Sequence, residues 1–452
     1  MNLERFLFKK ISLWILLFMM IIFFITSIFF GWVVLHKANG GEKSGIIGDI
    51  SYEIASIIPN LLKIVRGVNS DLYLKSSRFE NLQGLNLSTK QNFSKNFDGY
   101  ILLSRYDGNI NRSIVEIIDI DTKQVIHTYK PDIEKINSES KLSKQKINFT
   151  RDKNLQRYEI THPYLDKNGD LIFKNASPLV RIDMCSKLIW SLDGIFHHST
   201  EIDHEGNFWV LNSNIDKIIL NGQKEGIVNE AITKVSPSGT IIYEKSIAEI
   251  FLENNLAHKI SRHSQFDYTD PFHSNDIQPA LVDTKFWKKG DLFISLRNFS
   301  MIMLFRPSNN KVLWFKEGPW VHQHDVDIIS DKEISIYNNN LDYKKNNVMN
   351  INNVLIFNFE NQKVSSPYEI GFKKNDIKTR TGGLNEILDN GDIFVEEENF
   401  GRVLRMDKKG NIIWQYINKA DDGNLYLVRW SRFLSEEKYS KIIKNILISK
   451  CR

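Results

Sequence analysis

The sequence predicts an all-β fold: a six-bladed β-propeller preceded by an N-terminal transmembrane helix and a short helical linker. Three observations carry that expectation. A charge-free run of 25 residues, 11–35, lies near the N-terminus. From about residue 98 the chain reads as short alternating runs broken by Gly, Asn and Asp, the pattern of serial antiparallel strands. Within that region a hairpin pattern recurs six times. Composition agrees. The 452 residues are 42% apolar and 25% charged, which excludes a disordered or collagen-like chain and a multi-spanning channel. An aromatic content of 12% suits a large β core. With 59 basic against 54 acidic side chains, a net charge of +5 is too weak a field to argue for nucleic acid. Two cysteines exclude a disulfide framework or a four-cysteine zinc site. Cys185 and Cys451 are left as either one bridge or two separate thiols.

The apolar run, ISLWILLFMMIIFFITSIFFGWVVL, exceeds the ~20 residues that span a bilayer. A secretory apolar region is usually only about 7–15 residues, and no small-x-small cleavage site is obvious near Gly31–Gly41. Residues 11–35 therefore read as an uncleaved anchor. Arg5, Lys9 and Lys10 precede it, and Lys37 and Lys43 follow. This bias makes residues 1–10 a cytoplasmic tail. The remainder then faces the periplasm or, in a eukaryote, a lumen, and either permits a disulfide. The expected location is the cell inner membrane with the C-terminal domain in the periplasm.

Residues 36–95 read as a helical linker. Ile50, Ile54, Ile57, Ile58, Leu61 and Leu62 keep a helical spacing, and Pro59 should kink or split that helix.

Residues 96–452 carry the repeat: an apolar strand, a polar turn, then a strand with a bulky residue at its third position. The units are VEIIDIDTKQVIHTY from Val115, PLVRIDMCSKLIWSL from Pro178 and AITKVSPSGTIIYEK from Ala231. The pattern continues with IMLFRPSNNKVLWFK from Ile302, VLIFNFENQKVSSPY from Val354 and RVLRMDKKGNIIWQY from Arg402. One column holds His127, Trp190, Tyr243, Trp314, Ser366 and Trp414, at spacings of 63, 53, 71, 52 and 48. Six such units fit six four-stranded blades, with a pair of stacked sheets as the alternative. The 71-residue interval points to an insertion within 250–275. Glu396–Glu397–Glu398 reads as a solvated strand edge rather than a metal or acid/base cluster.

A second register precedes the hairpins, a turn leading into a strand: HEGNFWVLNS, KKGDLFISLRN, SDKEISIYNN and DNGDIFVEEEN. Eight residues before Gly206 stands His198, and eight before Lys332 stands His324; eight before Gly391 stands Gly383. The strand that runs along a propeller channel brings equivalent positions together near the axis. His273 belongs to the corresponding strand of another unit, and Arg297 ends the next strand of that unit. Metal binding is the rival chemistry for such imidazoles. A guanidinium would repel a cation, whereas imidazoles with Arg suit an oxyanion of sulfur or phosphorus.

FHHSTEIDHEGNFWVL, DPFHSNDIQPA, GDLFISLRNFS and GPWVHQHDVDI together resemble the motif set of the bacterial arylsulfotransferase family. That family moves sulfuryl groups between phenols without a nucleotide donor. The likeness runs in motif order over about residues 175–420. It implies a six-bladed propeller with its site at the central channel, an aryl sulfate donor, a phenolic acceptor and no cofactor or metal. It implies that His324, in the QHD motif, is the residue that becomes sulfated. His198, His273 and Arg297 become the groups that bind the sulfuryl oxygens, with imidazoles expected to be charged. His197, His322 and Asn275 are supporting residues. Strand alternation should turn His197 to the face opposite His198, and should put His322 on the face of His324. Two other readings stand beside this one. They are a non-catalytic propeller that binds an anionic or sulfated ligand, and a metal-dependent hydrolase or lyase.

Overall fold

The structure is a computed structural model that describes residues 12–38, 45–65, 72–88, 99–141, 155–218, 227–263, 270–341, 350–449 and 451. The chain divides into two compact units, Met1–Ser70 and Asp71–Arg452.

The first unit contains two helices, Leu13–Ala38 and Gly45–Val65. Over Leu13–His36 the first is long and apolar enough to cross a membrane. Its few hydroxyls turn inward, because an unpaired polar group is costly in hydrocarbon. Thr26 and Ser27 donate to the Ile22 and Phe23 carbonyls of the preceding turn. The second helix does not split at Pro59, as the sequence had suggested, but continues to Val65. Arg5, Lys9, Lys10 and Lys43 lie outside the described residues.

The second unit is a six-bladed β-propeller of antiparallel sheets. The innermost strands of blades 2 to 6 are Thr161–Leu165, Ile195–Ile202, Ser274–Pro279, Val326–Ile328 and Leu384–Ile387. The six hairpins of the sequence repeat are the third and fourth strands of the six blades. Neighbouring inner strands are tied by side chains. Ser199 Oγ accepts the Ile277 N–H at 3.0 Å, Asp276 Oδ2 the Val326 N–H at 2.9 Å, and Asp325 Oδ2 the Asn385 N–H at 2.8 Å.

The ring closes in blade 1. Its innermost strand, Arg432–Ser435, comes from the C-terminal end and pairs with Gly99–Asp107. The following helix, Glu436–Ile448, buries Ile443 and Ile446 against Val115, Phe173 and Val180 between blades 1 and 2. A disulfide joins Cys451 to Cys185, on the hairpin turn of blade 2. The expected insertion between blades 3 and 4 holds two short helices, Ile247–Glu253 and Ala257–His263; residues 264–269 lie outside the described set.

Two expectations need correction. The helical linker was expected to run to residue 95, yet Gly84–Leu87 adds a fifth, outer strand to blade 6 and Tyr73–Leu74 pairs with Leu425–Tyr426. Arg78 fixes this strap by donating to Glu397 at 2.8 Å. Strands of two and four residues carry too little alternation to read in sequence. The Glu396–Glu398 run is not a solvated edge: these residues are 0%, 0% and 4% exposed. Glu397 pairs with Arg78 and Arg402, Glu398 with Arg429, and Glu396 accepts the Trp430 and Ser431 N–H groups.

Candidate active site

The inner strands do not run straight into the channel mouth. Their pairing shifts between Thr161 and Tyr164, between His197 and Thr200, and between Ser274 and Asp276. His162 (φ 47°) and His198 (φ 51°) stand inside the first two of these bulges, and His273 (φ 44°) immediately precedes the strand that carries the third. Trp430 (φ 63°) and Gly383 (φ 90°) hold the corresponding places in blades 1 and 6. A left-handed conformation costs a residue with a Cβ roughly 1–2 kcal/mol. Bulges re-aim side chains, and here the bulges of blades 2 and 3 each carry an imidazole, with a third imidazole at the entry to the inner strand of blade 4.

The structure brings His198, His273, His324 and Arg297 together there. The His198 ring centroid lies 5.3 Å from that of His273 and 6.3 Å from that of His324. Arg297 follows the strand Leu292–Leu296, and its backbone N–H donates to the His273 carbonyl at 3.1 Å. Its Nη1 donates to Asn298 Oδ1 at 3.0 Å. Its charge lowers the pKa of both His324 and His322.

His324 is 3% exposed and held at both nitrogens. Nδ1 lies 2.6 Å from Asn339 Oδ1. The Asn339 amide nitrogen donates to the carbonyls of Gly382 (2.9 Å) and Thr379 (3.3 Å), so its oxygen must accept from His324. Nδ1 therefore carries the proton, and Nε2 carries the lone pair. That lone pair accepts the Gly382 N–H at 2.9 Å. Asn275 is fully buried, and its amide donates to the Gln323 carbonyl at 3.0 Å, which fixes the segment carrying His322 and His324.

His197 and His198 share a face, contrary to the alternation expected of them. The bulge breaks the alternation, and their Nδ1 atoms stand 2.9 Å apart. Alternation does not govern His322 either. It precedes the strand Val326–Ile328, with φ 53°. His273 Nδ1 lies 2.6 Å from Asp270 Oδ2, and its N–H donates to Asp270 Oδ1 at 3.1 Å.

His198, as a sulfuryl-binding group, was expected to be cationic, but burial keeps it neutral, as it does the proposed nucleophile His324. Desolvation, then the Arg297 charge, lowers His324 to about 3. Desolvation, then His273, lowers His197 to about 3. Burial drives His198 well below its ordinary value and takes His322 to about 4. Arg297 stays charged because guanidinium does not deprotonate in proteins.

Sequence reasoning missed His162, whose ring lies 5.9 Å from that of His198 and stacks on Trp430 at 4.3 Å. It stands seven residues before Gly169, one off the spacing that marks His198. Gly382 and Glu230 lie outside the quoted motifs and were missed as well; Asp270 opens DPFHSNDIQPA and Asn339 closes SDKEISIYNN, but neither was given a role. Among the described residues, no three or more His, Cys, Asp or Glu side chains form a group that could hold a metal ion.

The sequence model of one family, described as arylsulfotransferase (ASST), matches residues 162–419, more than half of the chain. No curated protein matches. Similar solved structures include a Bacteroides caccae protein of unknown function, at 12% identity and TM-score 0.46, covering 74% of this chain and 99% of that one. They also include virginiamycin B lyase from Staphylococcus aureus, at 12% and 0.34, covering 57% and 70%. A third is the Pan2 WD40 domain of Neurospora crassa, at 6% and 0.38, covering 80% and 96%.

Proposed function

The chain belongs to the arylsulfotransferase family, and we propose that it moves a sulfuryl group from an aryl sulfate ester to a phenol through a sulfohistidine at His324, with no nucleotide donor. The observation that carries this reading is the state of His324: a buried, neutral imidazole with its proton fixed on Nδ1 by Asn339, beside Arg297. A neutral imidazole is a good nucleophile, and a group that stays neutral far below pH 7 is fully available at neutrality.

In the first half-reaction the Nε2 lone pair attacks sulfur, the S–O bond breaks, and the phenolate leaves with the electron pair. Asn339 continues to accept the Nδ1 proton as the ring becomes cationic. Sulfuryl transfer resembles phosphoryl transfer, with charge on the equatorial oxygens. Arg297 supplies the permanent positive charge, and neutral His198 supplies a hydrogen bond rather than charge, with His273 beside it. The Gly382 N–H must release Nε2 before attack, and it is then placed to donate to a sulfuryl oxygen. In the second half-reaction a phenol takes the group and the N–S electron pair returns to His324.

The helix Leu13–Ala38 anchors the protein, and the propeller faces the periplasm, where the Cys185–Cys451 bridge is stable. Steady-state transfer from 4-nitrophenyl sulfate to a phenol, using the full-length protein in detergent, tests the reading. Parallel lines in double-reciprocal plots and loss of turnover in His324→Ala are expected. Intersecting lines, or undiminished turnover in the variant, would overturn it.

A further inference from the structure

The proposed reaction needs a proton to enter and leave the site once per turnover. The departing phenolate must be protonated, and the incoming phenol must lose its proton. His324 does neither, since its proton is fixed toward Asn339. Behind His198, however, runs a line of groups that the sulfuryl chemistry does not use. His198 Nδ1 meets His197 Nδ1 at 2.9 Å. His197 Nε2 is buried, makes no hydrogen bond, and faces Glu230 Oε1 at 3.7 Å. Glu230 is 4% exposed on the third strand of blade 3. Its Oε2 accepts both the N–H (2.8 Å) and the Oγ–H (2.9 Å) of Ser274, so Oε1 is left to meet His197.

We infer that Glu230, acting through His197 and His198, is the proton store of the site, emptied by the departing phenolate and refilled by the incoming phenol. This rests on the reading of His324 given above. In the filled state Glu230 holds a proton, His197 is protonated at Nδ1, and His198 is protonated at Nε2. That arrangement satisfies the Nδ1–Nδ1 contact with one donor and one acceptor. When the phenolate leaves, His198 Nε2 gives it a proton. His198 Nδ1 takes the proton of His197 Nδ1, and Glu230 Oε1 closes the 3.7 Å gap to His197 Nε2 and gives it its proton. The result is a phenol, a Glu230 carboxylate and two neutral imidazoles with exchanged tautomers, still joined by one hydrogen bond. The carboxylate balances the positive ring of sulfo-His324. Attack by a phenol runs the same transfers backward, and no proton need be exchanged with solvent.

The surroundings of Glu230 suit a store. His197 faces it from the inner strand, Ser274 bonds it from the inner strand of blade 4, and the Asp270 charge acts on it from the segment before that strand. Burial, then the Asp270 charge, raises its carboxyl to about 8, against the two Ser274 bonds. Burial opposes the ionisation of Asp270 too, but its bonds from His273 hold it low. Burial above all disfavours a cationic His197, so the proton passes through that ring without resting on it. Glu230 and His197 are positioning residues here; His198 touches the substrate oxygen.

The test is rapid-quench measurement of adduct formation by the full-length protein with two donors. The 4-nitrophenolate of one leaves without a proton near pH 7, whereas the 4-methylphenolate of the other needs one. In Glu230→Gln, which keeps the Ser274 bonds, the rate ratio between donors should widen by about 10²-fold. Glu230→Asp should restore part of it. The native protein should lose 4-methylphenyl sulfate activity above about pH 8 while the nitrophenyl rate holds. An unchanged ratio in Glu230→Gln overturns the relay alone. If that variant does not fold, identical native pH profiles for the two donors overturn it equally well. Absence of any adduct in the native protein overturns the sulfohistidine reading instead.

Discussion

His324 owes its proposed reactivity to two neighbours with opposite effects. Asn339, held by the Thr379 and Gly382 carbonyls, sets the tautomer, while the Gly382 N–H occupies the lone pair that tautomer exposes. The resting His324 ring is therefore bonded at both nitrogens, and a donor must displace the bond at Nε2. Arg297 is the charged partner. Arg297→Lys keeps the charge but loses the planar fork that matches two oxyanion oxygens. It should lower kcat/KM about 10²-fold without moving the thermal midpoint. Activity within a few-fold of the native value would remove Arg297 from the sulfuryl site. His198 and His324 were legible because turn spacing puts them at matching places in two blades, and His273 and Arg297 because they stand on successive strands of a third unit within the resembling motifs. Glu230 was not, since it comes from a third strand, and contact across strands leaves no spacing signal. His162 was hidden because its bulge changes the count by one.

At the scale of elements, the site is made by bulges at the mouth ends of the inner strands. Blade 6 uses Gly383 at that place for a steric reason. Its φ is 90°, and an added Cβ would stand 2.6 Å from Tyr337 Cε1 and 2.7 Å from Thr379 Cγ2. Tyr337 cannot yield freely, because its hydroxyl bonds Asn352, which in turn donates to the Asn339 carbonyl. Gly383→Ala should therefore destabilise the fold by about 1–3 kcal/mol in urea unfolding. Activity should fall further than stability, through the displaced Gly382 and Asn339. A neutral effect on both would show that this segment does not hold His324. The hairpins of all six blades were legible, since turn residues and alternation recur at each. The strap Gly84–Leu87 and the closing strand Arg432–Ser435 were not, because pairing across the ends of the chain is set by ring closure.

At the scale of the whole molecule, the channel is a column of buried ionisable groups with opposed pH responses. Burial raises Asp276, Glu386 and Glu398 to about 7, and Asp325 and Asp327 well above the ordinary carboxylate range. The stability these protonated forms confer is complete below the unfolded carboxyl pKa and is lost as pH rises through the raised values. His162, His197, His198 and His324 are lowered, so their cost appears as pH falls below about 6.5, where unfolded histidines take up protons. Below pH 6.5 the two sets oppose each other. Above it the unfolded histidines are neutral, and only the carboxyls count, with Lys174, also lowered by burial, offsetting one of them. The urea midpoint should fall between pH 6.5 and 8.5, and a rise would contradict this account. The central claim remains the covalent one. Peptide mass mapping of the full-length protein, quenched at alkaline pH after exposure to an aryl sulfate without acceptor, tests it most directly. One added SO₃ on the peptide carrying His324, discharged by a phenol and absent from His324→Ala, is the predicted result. Full turnover with no such adduct, or an adduct on another side chain, would contradict it.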